Sequence, residues 1–171
     1  MTRQKHDFAA VLIQETAPAL RLSLRVKPAH RDVLGQALGL DLPTRVGDRA
    51  QAGDAQALCL GPDEWLITAP EGAPLAAAPR AAVPHSLVDI SDREITLHLS
   101  GPAVLDLLAT CCPRNLAAMP VGSGARTLFD SATVILWRDG PADFRMDVWR
   151  SFAPHVRSLL TQAQAEIAAG L

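Results

Sequence analysis

One short signature occurs twice in this chain, and it constrains the fold more than any other feature. The first copy is Gly61-Pro62-Asp63-Glu64-Trp65-Leu66 and the second is Gly140-Pro141-Ala142-Asp143-Phe144-Arg145. Each copy joins a Gly-Pro turn to an acidic residue, an aromatic residue and an apolar alternating strand, a pattern typical of a β-hairpin. The repeat therefore predicts a duplicated structural unit.

A second matched pair lies upstream of each copy, at residues 20–28 and 94–102. In the first, leucine and valine alternate with polar residues such as Arg21, which predicts a strand with one buried face and one solvated face. Each segment ends in a proline, Pro28 or Pro102, at a position suited to the first turn of a helix. Apolar residues at Val104, Leu107, Leu108 and Cys111 then predict an amphipathic helix.

These elements predict an α+β fold built from duplicated strand–helix–hairpin units with antiparallel sheet. Residues 1–19 are expected to form an irregular N-terminal arm. Residues 20–171 are expected to form a single α+β domain of two similar halves, about residues 20–68 and 86–168. An Ala- and Pro-rich linker joins the halves, and a C-terminal helix capped by Ser151 closes the second.

Composition excludes several function classes. The 171 residues are 49% hydrophobic and 20% charged, which is typical of a globular protein. A formal net charge of −2 provides no basic face for nucleic acid. Apolar stretches are too short to span a membrane or to act as a secretory signal. Three cysteines are too few for a disulfide framework, so a cytoplasmic protein is expected.

No residue cluster in the sequence has the composition and spacing of an active site. The five histidines are not spaced as metal ligands. Cys111 and Cys112 are adjacent, which excludes a C-x-x-C pair and favours core packing. Gly122-Ser123-Gly124 matches no nucleotide-binding or nucleophile motif, so a tight connection is predicted there. The polar run at residues 89–94 is interpreted as a turn between strands.

An aromatic and arginine-rich segment follows the second hairpin copy. Alternation places Trp149 opposite the apolar face of its strand, and Arg150 and Phe152 follow at once. These residue types are enriched at the energetic centres of protein interfaces. Arg93, Trp149, Arg150 and Phe152 are therefore the candidate partner-interface residues, with no catalytic, cofactor or metal residue expected. The alternative is that the C-terminal helix covers Trp149 within this chain.

An ordered series of motifs resembles one known family over about residues 55–165. The motifs are Leu60-Gly61-Pro62-Asp63-Glu64-Trp65-Leu66, Val88-Asp89-Ile90-Ser91-Asp92-Arg93, Leu99-Ser100-Gly101-Pro102-Ala103, Val134-Ile135-Leu136-Trp137-Arg138 and Val148-Trp149-Arg150-Ser151-Phe152-Ala153-Pro154. Together they resemble the gamma subunit family of heterotetrameric sarcosine oxidase. The chain differs from the family pattern at Asp92, where a histidine is expected.

The resemblance implies a role inside a larger enzyme. Complexes of this family oxidatively demethylate sarcosine to glycine, produce hydrogen peroxide and pass the one-carbon unit to tetrahydrofolate. Alpha and beta subunits hold NAD, folate, FAD and covalently bound FMN, and the delta subunit holds zinc. The gamma subunit has no known cofactor or catalytic residue. Its fold resembles the folate-binding module of the aminomethyltransferase of glycine cleavage.

Two alternatives remain at this point. The chain could be the equivalent subunit of an oxidase for another N-methylated amine, since the difference at Asp92 leaves the substrate open. It could also be a free-standing folate-binding or one-carbon transfer protein, because the related fold binds folate elsewhere. The small size of the chain argues against the second, since the accessory domains that close such a site are missing.

Overall fold

A computed structural model describes residues 11–77 and 83–170 of this chain. In these residues ten strands form two five-stranded antiparallel sheets, with three α-helices outside them. The strands are β1 (Leu12–Glu15), β2 (Ala19–Val26), β3 (Arg49–Ala52), β4 (Ala55–Gly61), β5 (Glu64–Pro70), β6 (His85–Asp89), β7 (Glu94–Ser100), β8 (Gly124–Phe129), β9 (Ala132–Gly140) and β10 (Asp143–Trp149). The helices are α1 (Arg31–Leu38), α2 (Val104–Ala109) and α3 (Ala153–Ala169). The predicted α+β class with antiparallel sheet is confirmed.

The two sheets have the same topology. One has the strand order β6-β2-β5-β4-β3 and the other has the order β1-β7-β10-β9-β8. In each, the strand before the helix pairs with the second strand of the Gly-Pro hairpin. Leu24 pairs with Trp65 in the first sheet, and Leu99 pairs with Phe144 in the second. The two copies of the signature therefore occupy equivalent places.

The leading strand of each unit belongs to the sheet of the other unit. Strand β1 precedes the first unit but pairs with β7, where Ile13 lies opposite Leu99. Strand β6 precedes the second unit but pairs with β2, where Leu87 lies opposite Leu24. Each sheet is thus completed by a strand from the other side of the chain, and the two units are interlocked.

Each sheet packs helices on one face and the other sheet on the opposite face. Helix α1 and the face of β2 that carries Leu22 and Leu24 enclose one core. Helices α2 and α3 enclose a second core with the face of β10 that carries Phe144 and Met146. A smaller group lies between the sheets and consists of Leu58, Leu66, Ile135 and Trp137. Within the described residues, no helix is long and apolar enough to cross a bilayer.

Charged side chains join the two sheets beside this small apolar group. The guanidinium of Arg21 on β2 donates to Thr96 Oγ1 on β7 at 2.5 Å and lies 3.7 Å from Asp147 on β10. Arg49 on β3 donates to Asp139 on β9 at 2.8 Å. The predicted solvated face of β2 is therefore partly wrong: Arg21 is 2% exposed because the second sheet covers it.

Three local predictions are also corrected. The N-terminal arm is not irregular throughout, because β1 forms an edge strand; residues 1–10 lie outside the described part of the chain. Helix α2 ends at Ala109, so Cys111 lies beyond it and is only partly buried, whereas Cys112 belongs to the core. Helix α3 begins at Ala153 with Phe152 at the N-cap, and no side chain caps it.

Candidate subunit interface

The four predicted interface residues lie together at the end of β10. Trp149 is the last residue of this strand and pairs with Glu94, the first residue of β7. That register puts Arg93 beside Trp149. The chain then turns through residues 150–152 into α3, which brings Arg150 and Phe152 to the same side. We call Arg93, Trp149, Arg150 and Phe152 the aromatic patch.

Contacts within the aromatic patch hold its two rings at the surface. The guanidinium carbon of Arg93 lies 5.0 Å from the centroid of the Trp149 ring, a cation–π distance. The rings of Trp149 and Phe152 are 6.3 Å apart and inclined by 48°. Even so, Trp149 is 42% exposed and Phe152 is 41% exposed. Adjacent exposed aromatic rings of this kind are typical of a binding site.

Backbone hydrogen bonds fix the patch to the polar turn before β7. The backbone N–H of Arg150 donates to the carbonyl of Arg93 at 2.8 Å, and its Nε donates to the carbonyl of Asp92 at 3.0 Å. The turn itself is held by Asp89, whose carboxylate accepts from the backbone and hydroxyl of Ser91. These same bonds lower the pKa of Asp89. The polar run has the geometry of the predicted turn.

The other two tryptophans are buried. Trp65 donates its indole N–H to the carbonyl of Pro43 at 2.8 Å. Trp137 donates to Oδ2 of Asp147 at 2.6 Å, and the guanidinium carbons of Arg49 and Arg145 lie 5.1 Å and 4.8 Å from its ring centroid. Trp149 is therefore the one tryptophan that offers its ring to solvent, and α3 does not cover it.

A cleft of about 470 Å³ opens beside the aromatic patch, and the sequence did not predict it. Its lining includes the β1–β2 connection, the turn after β5, the polar turn before β7, and Arg150. Two charged side chains in it are buried: Arg21 and Glu94 are 2% and 5% exposed. Strand alternation predicted a solvated position for Arg21, and only the position of the second sheet shows that this side chain is covered.

Glu94 is in an unusual electrostatic environment. Burial raises the pKa of its carboxyl group, and the nearby charge of Asp147 raises this pKa further, while Arg93, Arg21 and Arg126 act in the opposite direction. Its nearest cation is Arg93, at 3.9 Å. Its Oε2 has no hydrogen-bond partner among the described residues. The carboxyl group therefore lacks the compensation that a buried charge ordinarily has.

Two histidines, His98 and His155, form exposed or half-exposed pairs with carboxylates. His98 lies 2.6 Å from Asp143, and His155 lies 3.0 Å from Asp130. The hydrogen bond from His155, together with those from Ser131, lowers the pKa of Asp130 to about 2. In the part of the chain that the structure describes, no three His, Cys, Asp or Glu side chains are grouped to hold a metal ion.

Comparison with known proteins identifies the family. The family described as "Sarcosine oxidase, gamma subunit family" matches residues 24–166. A sarcosine oxidase subunit gamma from Arthrobacter sp is 36% identical over 96% of this chain and 85% of its own length. The corresponding subunit of Corynebacterium sp. (strain U-96) is 33% identical over 94% of this chain and 82% of its own length.

Solved structures agree with these matches. A chain of the heterotetrameric sarcosine oxidase from Corynebacterium sp. U-96, solved with pyrrole 2-carboxylate, superposes with a TM-score of 0.85 at 31% identity, over 94% of this chain and 87% of that chain. The glycine cleavage aminomethyltransferase T from Bartonella henselae has the same fold, with a TM-score of 0.65 at 16% identity over 91% of this chain and 46% of that chain. Both predicted resemblances are confirmed, and the chain belongs to the sarcosine oxidase gamma subunit family.

Proposed function

We propose that this chain is the non-catalytic gamma subunit of a heterotetrameric sarcosine oxidase. The complex would demethylate sarcosine oxidatively to glycine, produce hydrogen peroxide and transfer the one-carbon unit to tetrahydrofolate. Family membership over residues 24–166 and the match to a chain of such a complex support this assignment. In this role the chain contributes to the oxidoreductase by binding and supporting the subunits that perform the chemistry.

The aromatic patch is the observation that carries the proposal within this chain. Trp149 and Phe152 expose about two fifths of their surface although the rest of β10 is largely covered. Burying such rings in a partner would release water from apolar surface and stabilise a complex. Arg93 and Arg150 at the same place provide hydrogen-bond donors for the rim of the interface. The patch is therefore proposed as a contact with a partner subunit.

The partners are proposed to be the alpha, beta and delta subunits. FAD, FMN, NAD and tetrahydrofolate are assigned to the alpha and beta subunits and zinc to the delta subunit. The substrate is then selected by the partners, so an oxidase for another N-methylated amine would use this subunit in the same way. A cytoplasmic location is proposed because the three cysteines, Cys59, Cys111 and Cys112, are free thiols.

A free-standing folate-binding role is less consistent with the site. The cleft contains more carboxylates than guanidinium groups, among them the buried Glu94. Folates end in a glutamate tail whose carboxylates would be repelled by such a lining. Calorimetry of the isolated chain with tetrahydrofolate is the direct check, and micromolar binding would favour this alternative over the subunit role.

Co-purification tests the proposed function. The chain, carrying an affinity tag, is expressed together with the proposed alpha, beta and delta subunits of the same organism. We expect it to purify as one complex with them, and we expect the complex to oxidise sarcosine. The chain purified alone should bind neither flavin nor zinc. If the isolated chain oxidised sarcosine unaided, or if it never entered a complex, the proposal would be wrong.

A further inference from the structure

The cleft beside the aromatic patch lies where the two units meet. The β1–β2 connection and the β6–β7 connection occupy equivalent places in the two units, and both line it. So do the segments that follow β5 and β10. At about 470 Å³, the cleft is large enough to hold a long side chain of another protein. The position of the cleft therefore depends on how the two units interlock, because segments of both units line it.

The lining of the cleft contains more carboxylates than guanidinium groups, although Glu15 is paired with Arg157, which lies outside the lining. Five carboxylates contribute to it, from Glu15, Glu71, Asp89, Asp92 and Glu94. Only Arg21 and Arg150 of the lining oppose them, and each guanidinium group donates within the chain, although Nε of Arg21 has no hydrogen-bond partner among the described residues. Arg21 donates to Thr96 and to the carbonyl of Ala19, and Arg150 donates to the carbonyl of Asp92. The cleft therefore has unbalanced negative charge and complements a cation.

Glu94 differs from the other carboxylates of the cleft because it is buried. Its side chain is 5% exposed and lines the cleft, while its Oε2 has no hydrogen-bond partner in residues 11–77 and 83–170. An unpaired carboxylate costs folding free energy when it is buried, unless a proton or a cation compensates it. Arg93 is too distant for a direct hydrogen bond, at 3.9 Å. A cation that enters the cleft would offset the charge of this carboxyl group.

The cleft and the aromatic patch form one continuous surface. Arg150 belongs to the patch and also lines the cleft. Asp92 lines the cleft and is the neighbour of Arg93 in the chain. A partner that covers the rings of Trp149 and Phe152 therefore also covers the mouth of the cleft. The occupant is most simply a part of that same partner.

We propose that the cleft binds a lysine or arginine side chain of the partner subunit that covers the aromatic patch, with Asp92 and Glu94 as its principal carboxylate contacts. This inference rests on the proposed subunit role. In it, apolar contact at the patch provides most of the affinity, and the charge in the cleft fixes the orientation of the partner and excludes partners without a matching cation.

Association of charge-neutral variants with the remaining subunits tests the inference. The complex is prepared without this chain, and the wild-type chain is titrated onto it at low and at high salt. The double variant Asp92→Asn/Glu94→Gln should bind at least ~10-fold more weakly at low salt. The salt dependence of its affinity should also be reduced, because fewer charges are paired on binding.

Two controls separate this effect from folding and from general charge. Glu166→Gln removes an exposed carboxylate in the last turn of α3, about 20 Å along the helix from its start, and should bind as wild type does. Asp92→Asn alone removes an exposed carboxylate and should leave the fold intact while weakening association measurably. Circular dichroism of each variant checks that it is folded.

The outcomes are distinct. If the wild-type chain does not bind the other subunits, the proposed function fails and the inference fails with it. If the wild-type chain binds and the double variant binds equally well with the same salt dependence, only the inference is overturned. If association is unchanged but methylguanidine stabilises the wild-type chain and not the double variant, the cleft takes a small free cation, which also overturns the inference.

Discussion

Trp149 and the buried tryptophans differ at the level of the single side chain. Trp65 and Trp137 each satisfy the indole N–H inside the chain, with a carbonyl and a carboxylate as acceptors. Trp149 instead packs its ring against Arg93 and Phe152, which belong to the surface themselves. Removal of its ring should therefore affect what the chain binds more than how stably it folds.

Trp149→Ala is expected to separate binding from stability. The free energy of unfolding of the isolated chain should change by less than about 1 kcal/mol, because the ring is 42% exposed. Affinity for the remaining subunits should fall by at least ~30-fold, the loss typical of a central aromatic residue. Urea denaturation and a binding titration measure the two quantities.

Val46→Ala is the matched control for this substitution. Val46 is an exposed apolar residue, 60% exposed, and it lies in the loop between α1 and β3, outside the patch. Val46→Ala should change neither the free energy of unfolding nor the affinity for the remaining subunits. A Trp149→Ala variant that bound with wild-type affinity, or that unfolded at room temperature, would contradict the interface role of the ring.

The buried carboxyl group of Glu94 leads to a prediction about how the stability of the folded chain depends on pH. Because burial raises the pKa of Glu94 in the folded chain, the carboxyl group ionises at lower pH in the unfolded chain. Stability should therefore fall as the pH rises above about 4.3, the ordinary pKa of glutamate. Asp147 strengthens this effect, and the charges of Arg93, Arg21 and Arg126 limit it.

Glu94→Gln should remove that pH dependence. Urea unfolding between about pH 4 and about pH 8 should show the variant gaining stability relative to wild type as the pH rises. The isolated variant is thus expected to be more stable at neutral pH while it binds its partner less well. Glu166→Gln should follow the wild-type curve throughout. A Glu94→Gln variant less stable than wild type at about pH 8 would show that the carboxylate is well paired within the chain.

At the scale of elements, the hairpins and the three helices could be predicted, and the short edge strands β1 and β3 could not. The Gly-Pro signature and the apolar spacing that follows it are strong local signals. Strands β1 and β3 have four residues each, and β3, Arg49–Ala52, has no large apolar residue. Such strands form because a longer neighbour offers free hydrogen-bonding groups, and no local pattern encodes that.

The tight connection predicted at residues 122–124 also brings two strands of different sheets close together. Gly124 begins β8, and a Cβ placed there would lie 2.7 Å from both Cδ atoms of Leu58 on β4. Leu58 is fully buried between the sheets. The glycine therefore permits the close approach of β8 and β4, which belong to different sheets.

Gly124→Ala should destabilise the chain by about 1–3 kcal/mol through overpacking. Gly61→Ala is the matched control in the other sheet, because the nearest atom to its Cβ would be 3.5 Å away, an ordinary contact. Urea or thermal denaturation of the two variants gives the difference. Equal stabilities would indicate that the sheets can separate slightly at this point without loss.

For the molecule as a whole, the face-to-face packing of the two sheets could not be predicted, and the cleft depends on this packing. The sequence showed two similar units, but it did not show that their sheets pack face to face through polar side chains. Alternation in β2 predicts a solvated Arg21, and the polar run at residues 89–94 predicts a turn, yet both Arg21 and Glu94 are buried in the structure. The aromatic patch was predictable because it depends on residue type and strand alternation, whereas the cleft depends on long-range packing.

Interlocked leading strands make the two units dependent on each other, and this leads to a prediction for the whole chain. A cut within residues 78–82 gives an N-terminal fragment without β6 and a C-terminal fragment without β1. Each fragment would expose an unpaired edge of β2 or β7 and the apolar side chains between the sheets, such as Leu58 or Trp137. We expect each fragment alone to lack the near-ultraviolet dichroism of packed tryptophan. An equimolar mixture should recover it, since both sheets can then be completed. A half that folded cooperatively alone would show that strand exchange is not required for its stability.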